Sequence, residues 1–210
     1  MNPHRRLTLA FAAALSALAL AGCDRSAPAA PAHHFNAVDL TGASYAQQFS
    51  LPDFDGKVRT LADFKGKVTA VFFGYTQCPD VCPTTMHDLG DAMKQLGPLA
   101  DKVQVLFITV DPERDTPQLL SQYVPAFDKR FLGLTGTLPE IDKTAKDFHV
   151  YYQKVPGTAK GSYSMDHTAG LYIYDPEGRI RVFASNTAPL DSIVHDLKIL
   201  LRQPVEPAKT

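Results

Sequence analysis

The chain has 210 residues, 45% apolar and 20% charged, enough for one globular domain with flanking segments. Its formal net charge is -1 and no basic block lies beyond the N-terminus, which argues against nucleic acid as a partner. No apolar run reaches the ~20 residues of a membrane-spanning helix.

The first 22 residues read as a targeting leader. His4, Arg5 and Arg6 form a cationic start, Leu7 to Leu20 an apolar centre, and Leu20-Ala21-Gly22-Cys23 the close. Small residues before a cleavage point mark a secretory signal peptide. The cysteine that follows makes this stretch resemble a bacterial lipobox, so cleavage is expected before Cys23, with lipid on its thiol. Acyl chains would hold the protein on a membrane without a spanning helix. The implied location is the bacterial cell envelope, facing the periplasm. Asp24 resembles an inner-membrane retention signal. In that oxidising space one thiol pair is left, Cys78 and Cys82.

Residues 23–42 are expected to be the lipidated cysteine and a flexible linker. Asp24 to Asn36 is rich in alanine and proline. His33 and His34 read as solvated linker residues. One domain is expected over 43–203, with a polar tail at 204–210.

Within the domain, Phe49 to Lys57 suits a strand with a turn at Asp55-Gly56, and Leu61 to Lys67 a short helical turn closed by Gly66. Val68 to Tyr75 is a near-continuous apolar run, as in a strand buried on both faces. Pro83 suits the first position of a helix whose apolar stripe is Met86, Leu89, Met93 and Leu96. Gly97-Pro98 stops it. Val103 to Val110 is a second buried strand. Asp111 to Pro117 is a polar loop, and Thr116-Pro117 opens a helix through about Phe127. Phe131 to Leu134 is strand-like, and Thr137 caps a helix running to Phe148. Val150 to Val155 reads as a strand, Pro156 to Ser162 as a loop, and Thr168 to Tyr174 as a third apolar strand. A turn at Asp175–Gly178 leads back through Arg179 to Ala184. Leu190 to Leu201 is an amphipathic helix. Strands alternating with helices describe an α/β sheet sandwiched by helices. The right-handed crossover over Val68 to Val110 puts Cys78 and Cys82 at the carboxyl end of a central strand, where open α/β sheets place their sites.

Pro83 disfavours helical geometry for the residue before it, so Cys82 is expected as the helix cap, with Cys78 in the preceding loop. Both sulfurs would then lie at the positive end of a helix, which favours thiolate, the form that binds metal and attacks disulfides. A Cys78–Cys82 disulfide is sterically allowed, but so small a loop would stabilise the fold little. A soft metal needs a further ligand. Asp166-His167, before the third apolar strand, is the strongest candidate. Two thiolates and an imidazole suit copper, whereas structural zinc wants four protein ligands. Spacing alone leaves metal binding, disulfide exchange and stapling open.

Gly74-Tyr-Thr-Gln-Cys-Pro-Asp-Val-Cys-Pro83, followed downstream by Asp166-His167-Thr168, resembles the Sco/SenC family. The likeness runs from Phe49 to Leu201. It includes Phe64-Lys-Gly-Lys67 and the Asp111-Pro-Glu-Arg-Asp-Thr-Pro117 loop. It implies a thioredoxin-like fold, a central mixed β-sheet flanked by helices with an added hairpin. It implies copper, Cu(I) or Cu(II), held by Cys78, Cys82 and His167. It also implies a role in assembling the dinuclear copper site of cytochrome c oxidase subunit II. A second periplasmic copper chaperone or a thiol reductant would be further partners. Asp80 and Asp166 read either as groups that orient the ligands or as solvated loop carboxylates. Met86 reads as part of the core stripe, and Met165 as a packed or exposed side chain, with a weak extra ligand as the alternative.

The competing reading is an enzyme that uses Cys78 and Cys82 as a redox pair to keep target cysteines reduced. Against a general thioredoxin role, three residues rather than two separate the cysteines. Tyr163 to His167 also lacks the proline that thioredoxin-like reductases usually carry there. A peroxiredoxin fits worse, because Tyr75 stands where that family has threonine. Arg114 and Asp115 could face a partner or pin their loop.

Overall fold

A computed structural model describes residues 34–202. The leader, Cys23, His33 and the tail at 204–210 lie outside the described residues. In chain order the strands and α-helices are β1 (Val38–Asp39), β2 (Leu51–Pro52), β3 (Val58–Arg59), β4 (Val68–Gly74), α1 (Val81–Leu96), β5 (Val103–Thr109), α2 (Pro117–Tyr123), β6 (Leu132–Leu134), α3 (Leu138–Asp147), β7 (Tyr152–Pro156), β8 (Tyr163–His167), β9 (Gly170–Tyr174), β10 (Ile180–Ser185) and α4 (Leu190–Arg202).

All seven residues of β4 and all seven of β5 are buried. Both faces of these strands are covered, which is why their sequences run apolar without alternation. They pair in parallel from Val68↔Val103 to Gly74↔Thr109. The main sheet has the order β1-β10-β9-β4-β5-β6. β6 continues the parallel half, whereas β9 runs antiparallel to β4 and carries β10 and β1 outward. The sheet is therefore mixed, as expected. Helices α1 and α4 pack against each other, and α2 packs on β6. The α1 stripe Met86, Leu89, Met93 and Leu96 is buried. Thr116 caps α2 by accepting a hydrogen bond from the Leu119 amide at 3.2 Å. At α3 the Glu140 carboxylate accepts from the Thr137 amide at 2.7 Å, half of a capping box.

Three features depart from the sequence reading. First, helix α1 begins at Val81, not at Pro83, and Asp80 rather than Cys82 is the cap residue. Proline is tolerated inside the first turn because those amides have no intrahelical acceptor to lose. Second, Tyr163 to His167 forms a strand of its own, pairing antiparallel with β7 from Tyr152↔His167 to Pro156↔Tyr163. This hairpin is a separate two-stranded sheet beside the main one. β7 overlaps the strand expected over Val150 to Val155, whereas β8 has a single fully buried residue, Met165, too little apolar pattern to read. Third, the folded unit takes in residues 35–42, which were expected to be linker. Val38 and Asp39 pair with β10, and Phe35, Ala37 and Leu40 pack on the core.

The anchor for this leading segment is Asp196, fully buried on α4. Its carboxylate accepts the amides of Asn36 at 2.8 Å and Ala37 at 3.0 Å. Hydrogen bonds to a charged acceptor are worth about 1.5–3 kcal/mol each, and a stranded buried group costs as much again. Asp196→Ala is therefore expected to lower the unfolding free energy by about 2–4 kcal/mol in urea titrations. A change under about 0.5 kcal/mol would contradict this role.

Candidate metal centre

β4 ends at Gly74, and the chain turns through residues 75–80 into α1. The Cys78 amide donates to the Tyr75 carbonyl at 3.3 Å, and the Thr84 amide donates to the Asp80 carbonyl at 3.2 Å. Cys82, in the first turn of the helix, is buried against the end of β4. A Cβ built on Gly74 would lie 2.9 Å from ring atoms of Phe72 and Phe107 and 3.0 Å from Cys82 Sγ. A side chain at position 74 would displace the sulfur, so glycine fits there on steric grounds. Cys78 is half-buried, and both cysteines are free thiols. The Cys82 amide donates to Cys78 Sγ at 3.4 Å.

The helix end does not make Cys82 acidic. Burial pushes its thiol far up, and the main chain of Tyr75, hydrogen-bonded to the sulfur, offsets only part of this. The neighbouring Cys78 raises it further. Here the structure corrects the expectation of a poised thiolate at Cys82: in a dry site, desolvation outweighs the helix dipole. A thiolate at Cys82 needs a cation beside it.

His167 closes β8. Alternation along the strand puts Tyr163, Met165 and His167 on the inward face and Ser164 and Asp166 outside. His167 Nδ1 lies 3.1 Å from the Thr168 carbonyl and Nε2 lies 3.6 Å from Cys82 Sγ. A proton on Nδ1, donated to that carbonyl, leaves the Nε2 lone pair facing the sulfur. Phe72 and Tyr75 meet the ring edge-on, at centroid distances of 6.3 and 6.0 Å. Burial lowers the imidazole pKa, which favours the neutral, ligating form.

The exposed carboxylates of Asp80 and Asp166 make no hydrogen bond to Cys78, Cys82 or His167 among the described residues. Asp166 acts on His167 through its charge alone, the weakest of three influences. The strand pleat explains this, because adjacent residues point to opposite faces. The Thr168 carbonyl supplies the orientation expected of them. Met86 and Met165 are both buried side chains.

Arg114 and Asp115 pin the loop that follows β5. Asp115 is fully buried and accepts from the Thr76 amide at 3.0 Å and from the hydroxyls of Thr76 and Thr109, each at 2.6 Å. This fixes the start of the cysteine turn to the end of β5. Burial raises its carboxyl pKa, and the two threonine hydroxyls oppose that rise. The roles of Asp111, Thr76 and Tyr163 were not read from sequence. The one available signal was a polar loop of unusual aspartate and arginine density between two buried elements.

The Cys78 and Cys82 sulfurs and a His167 nitrogen all lie within 4.8 Å of one another. Bonds near 2.3 Å to sulfur and 2.0 Å to nitrogen put the donors of one small ion roughly 3.5–4.5 Å apart. Two soft sulfurs and one imidazole, with no fourth His, Cys, Asp or Glu donor in this cluster among the described residues, suit copper better than structural zinc.

Residues 38–202 match the SCO1/SenC family. The mitochondrial SCO2 homologue of Bos taurus is 38% identical over 152 residues, or 71% of this chain. The aligned region is 57% of the bovine protein, so this chain spans little more than half of that relative. Copper-bound ScoI of Bradyrhizobium japonicum superimposes with a TM-score of 0.67 at 42% identity, over 73% of this chain and 97% of that one. BsSco, a member of the Sco family of cytochrome c oxidase assembly proteins in which a disulfide switch was identified, gives a TM-score of 0.59 at 26% identity, over 76% and 95%. The mixed sheet flanked by helices is the thioredoxin-like architecture of these Sco proteins. Sequence match, fold and the Cys-Cys-His cluster agree: the chain belongs to the SCO1/SenC family.

Proposed function

We propose that this protein is a copper metallochaperone of the bacterial cell envelope, binding one copper ion through Cys78, Cys82 and His167. It assists assembly of the dinuclear copper site in subunit II of cytochrome c oxidase. The observation that carries the reading is the convergence of three soft donors from two distant segments within 4.8 Å. The copper-bound ScoI relative supports it. Copper here is cargo, and the ion supplies the positive charge that a buried Cys82 thiolate requires. Half-buried Cys78 is the outward donor, through which the ion passes to an acceptor. Fully buried Cys82 stays behind to hold the site. Lipid on Cys23 tethers the protein to the inner membrane, facing the periplasm. The lipobox residues Leu20-Ala21-Gly22-Cys23 support that anchor. A second copper chaperone reloads the protein with copper, and a thiol reductant returns Cys78 and Cys82 to the dithiol that binds it.

A second reading, thiol–disulfide reductase, has one observation in its favour: both thiols are free, one outward and one buried. A Cys78 thiolate would attack the target disulfide and release one target thiolate. The Cys82 sulfur, losing its proton to solvent, would then displace the second. Two electrons pass to the target, and a Cys78–Cys82 disulfide remains for an external thiol to reduce.

Copper titration separates the readings. The reduced protein should bind one equivalent, with sulfur-to-metal charge-transfer absorption in the Cu(II) state. Cys78→Ala and Cys82→Ala should each remove that band, and His167→Ala should shift or abolish it. An unchanged spectrum in His167→Ala would contradict the three-donor site. Brisk metal-independent insulin reduction would favour the reductase.

Burial of Cys82 also predicts a pH dependence. Its folded pKa is raised above the ordinary thiol value of 9.0. Above that pH the unfolded chain releases a proton that the folded chain keeps. Stability therefore falls as pH rises, by up to about 1.4 kcal/mol per unit from this residue. Urea midpoints of the reduced, metal-free protein should drop between about pH 9 and 10. The drop should be shallower in Cys82→Ala. Equal slopes would show that burial does not control this thiol.

A further inference from the structure

We infer that Arg114 is a positioning residue for the metal site. It sets the distance of His167 from the two sulfurs by clamping the β7–β8 hairpin to the cysteine turn. This rests on the reading of His167 as a donor.

The two halves of the site belong to different sheets. Cys78 and Cys82 follow β4 of the main sheet, whereas His167 ends a hairpin that, among the described residues, pairs only within itself. No ladder of the main sheet therefore fixes the imidazole against the sulfurs. Arg114 spans the gap. Its Nη1 donates to the Tyr163 carbonyl, at the start of β8, at 2.9 Å. The same nitrogen donates to Gln77 Oε1, one residue before Cys78, at 3.2 Å. Its Nε donates to Asp111, a fully buried carboxylate in the loop after β5. The guanidinium lies 3.6 Å from the centroid of the Tyr163 ring, and the Tyr163 hydroxyl donates to the same Asp111 at 2.9 Å.

One planar cation thus joins three segments: the loop after β5, the turn that carries Cys78, and the strand that carries His167. Other polar ties reach the hairpin: the Tyr152 hydroxyl donates to Asp142 on α3, which joins β7 to a helix and not to the cysteine turn. The Lys154–Glu113 pair is exposed, and exposed pairs contribute little. The main chain of Met165 hydrogen-bonds the Tyr75 hydroxyl, but reaches neither Gln77 nor Asp111. A side chain that merely braced the hairpin would need no contact with Gln77. Lysine could keep the charge beside Asp111, but its single ammonium lacks the fork that reaches Asp111 and the other two acceptors at once.

The test is a double-mutant cycle on the reduced full chain, with copper(I) affinity measured by competition against a chromophoric chelator. Arg114→Lys is combined with His167→Ala. Mutation of groups that orient ligands commonly costs 10- to 100-fold in metal affinity. Arg114→Lys should weaken binding about ten-fold in the wild-type background and less than about two-fold in His167→Ala, because coupled residues are not additive. The Cu(II) charge-transfer band of Arg114→Lys should move toward that of His167→Ala, a change that general loss of stability would not produce. Equal losses in both backgrounds, or no loss in either, would overturn the inference while leaving the three-donor site intact. A His167→Ala variant that binds as tightly as wild type would remove the donor reading and this inference with it. If thermal melting shows that Arg114→Lys does not fold, Gln77→Ala at an exposed position carries the same cycle. It must show the same dependence on background.

Discussion

The structure depends on a sulfur in a dry place. Cys82 Sγ packs where the parallel β4–β5 pair ends, at Gly74, whose missing side chain leaves the room the sulfur needs. The apolar pairing that makes the strands the core also removes water from the thiol, and so keeps it protonated. A buried thiol of this kind is inert on its own. Its chemistry begins when a cation, or a neighbouring sulfur that changes charge, enters the same space. The fold therefore couples ion binding to deprotonation at Cys82, and in this chain His167 Nε2 lies 3.6 Å away to complete such a site.

Around that sulfur the loop after β5 does most of the positioning. Asp115 holds Thr76 at the start of the cysteine turn, and Asp111 with Arg114 holds Tyr163 on the hairpin. Both carboxylates are fully buried. Such groups are costly unless they are hydrogen-bonded, and here their partners come from both halves of the site. The hairpin owes its distance from the cysteines to these polar contacts rather than to a shared ladder. Polar contacts can loosen singly, whereas a sheet resists piecemeal opening, which suits the uptake and release of an ion proposed for this site.

Much of this was legible in the sequence. Val68 to Tyr75 and Val103 to Val110 read as strands buried on both faces because branched and aromatic residues dominate them, with only Thr69, Gln104 and Thr109 polar, and both strands are buried throughout. The α1 stripe and the Thr116 and Thr137 caps were readable because helix periodicity and capping are local. The convergence of His167 on the cysteines could not be read from spacing, since 85 residues separate His167 from Cys82. It came from resemblance. The hairpin strand β8 went unread because its alternation spans only five residues, with Met165 the single fully buried one. Residues 35–42 looked like linker because their anchor, Asp196, is far along the chain. The thiolate expectation for Cys82 failed because a helix dipole is visible in sequence and desolvation is not.

One copper ion bound between two distant segments of the chain leaves a direct signature in X-ray absorption spectroscopy of the copper(I)-loaded protein. The expected spectrum is that of a low-coordinate ion with two sulfur donors and one nitrogen donor, the nitrogen lost in His167→Ala. A spectrum with the same first shell in wild type and His167→Ala would contradict it.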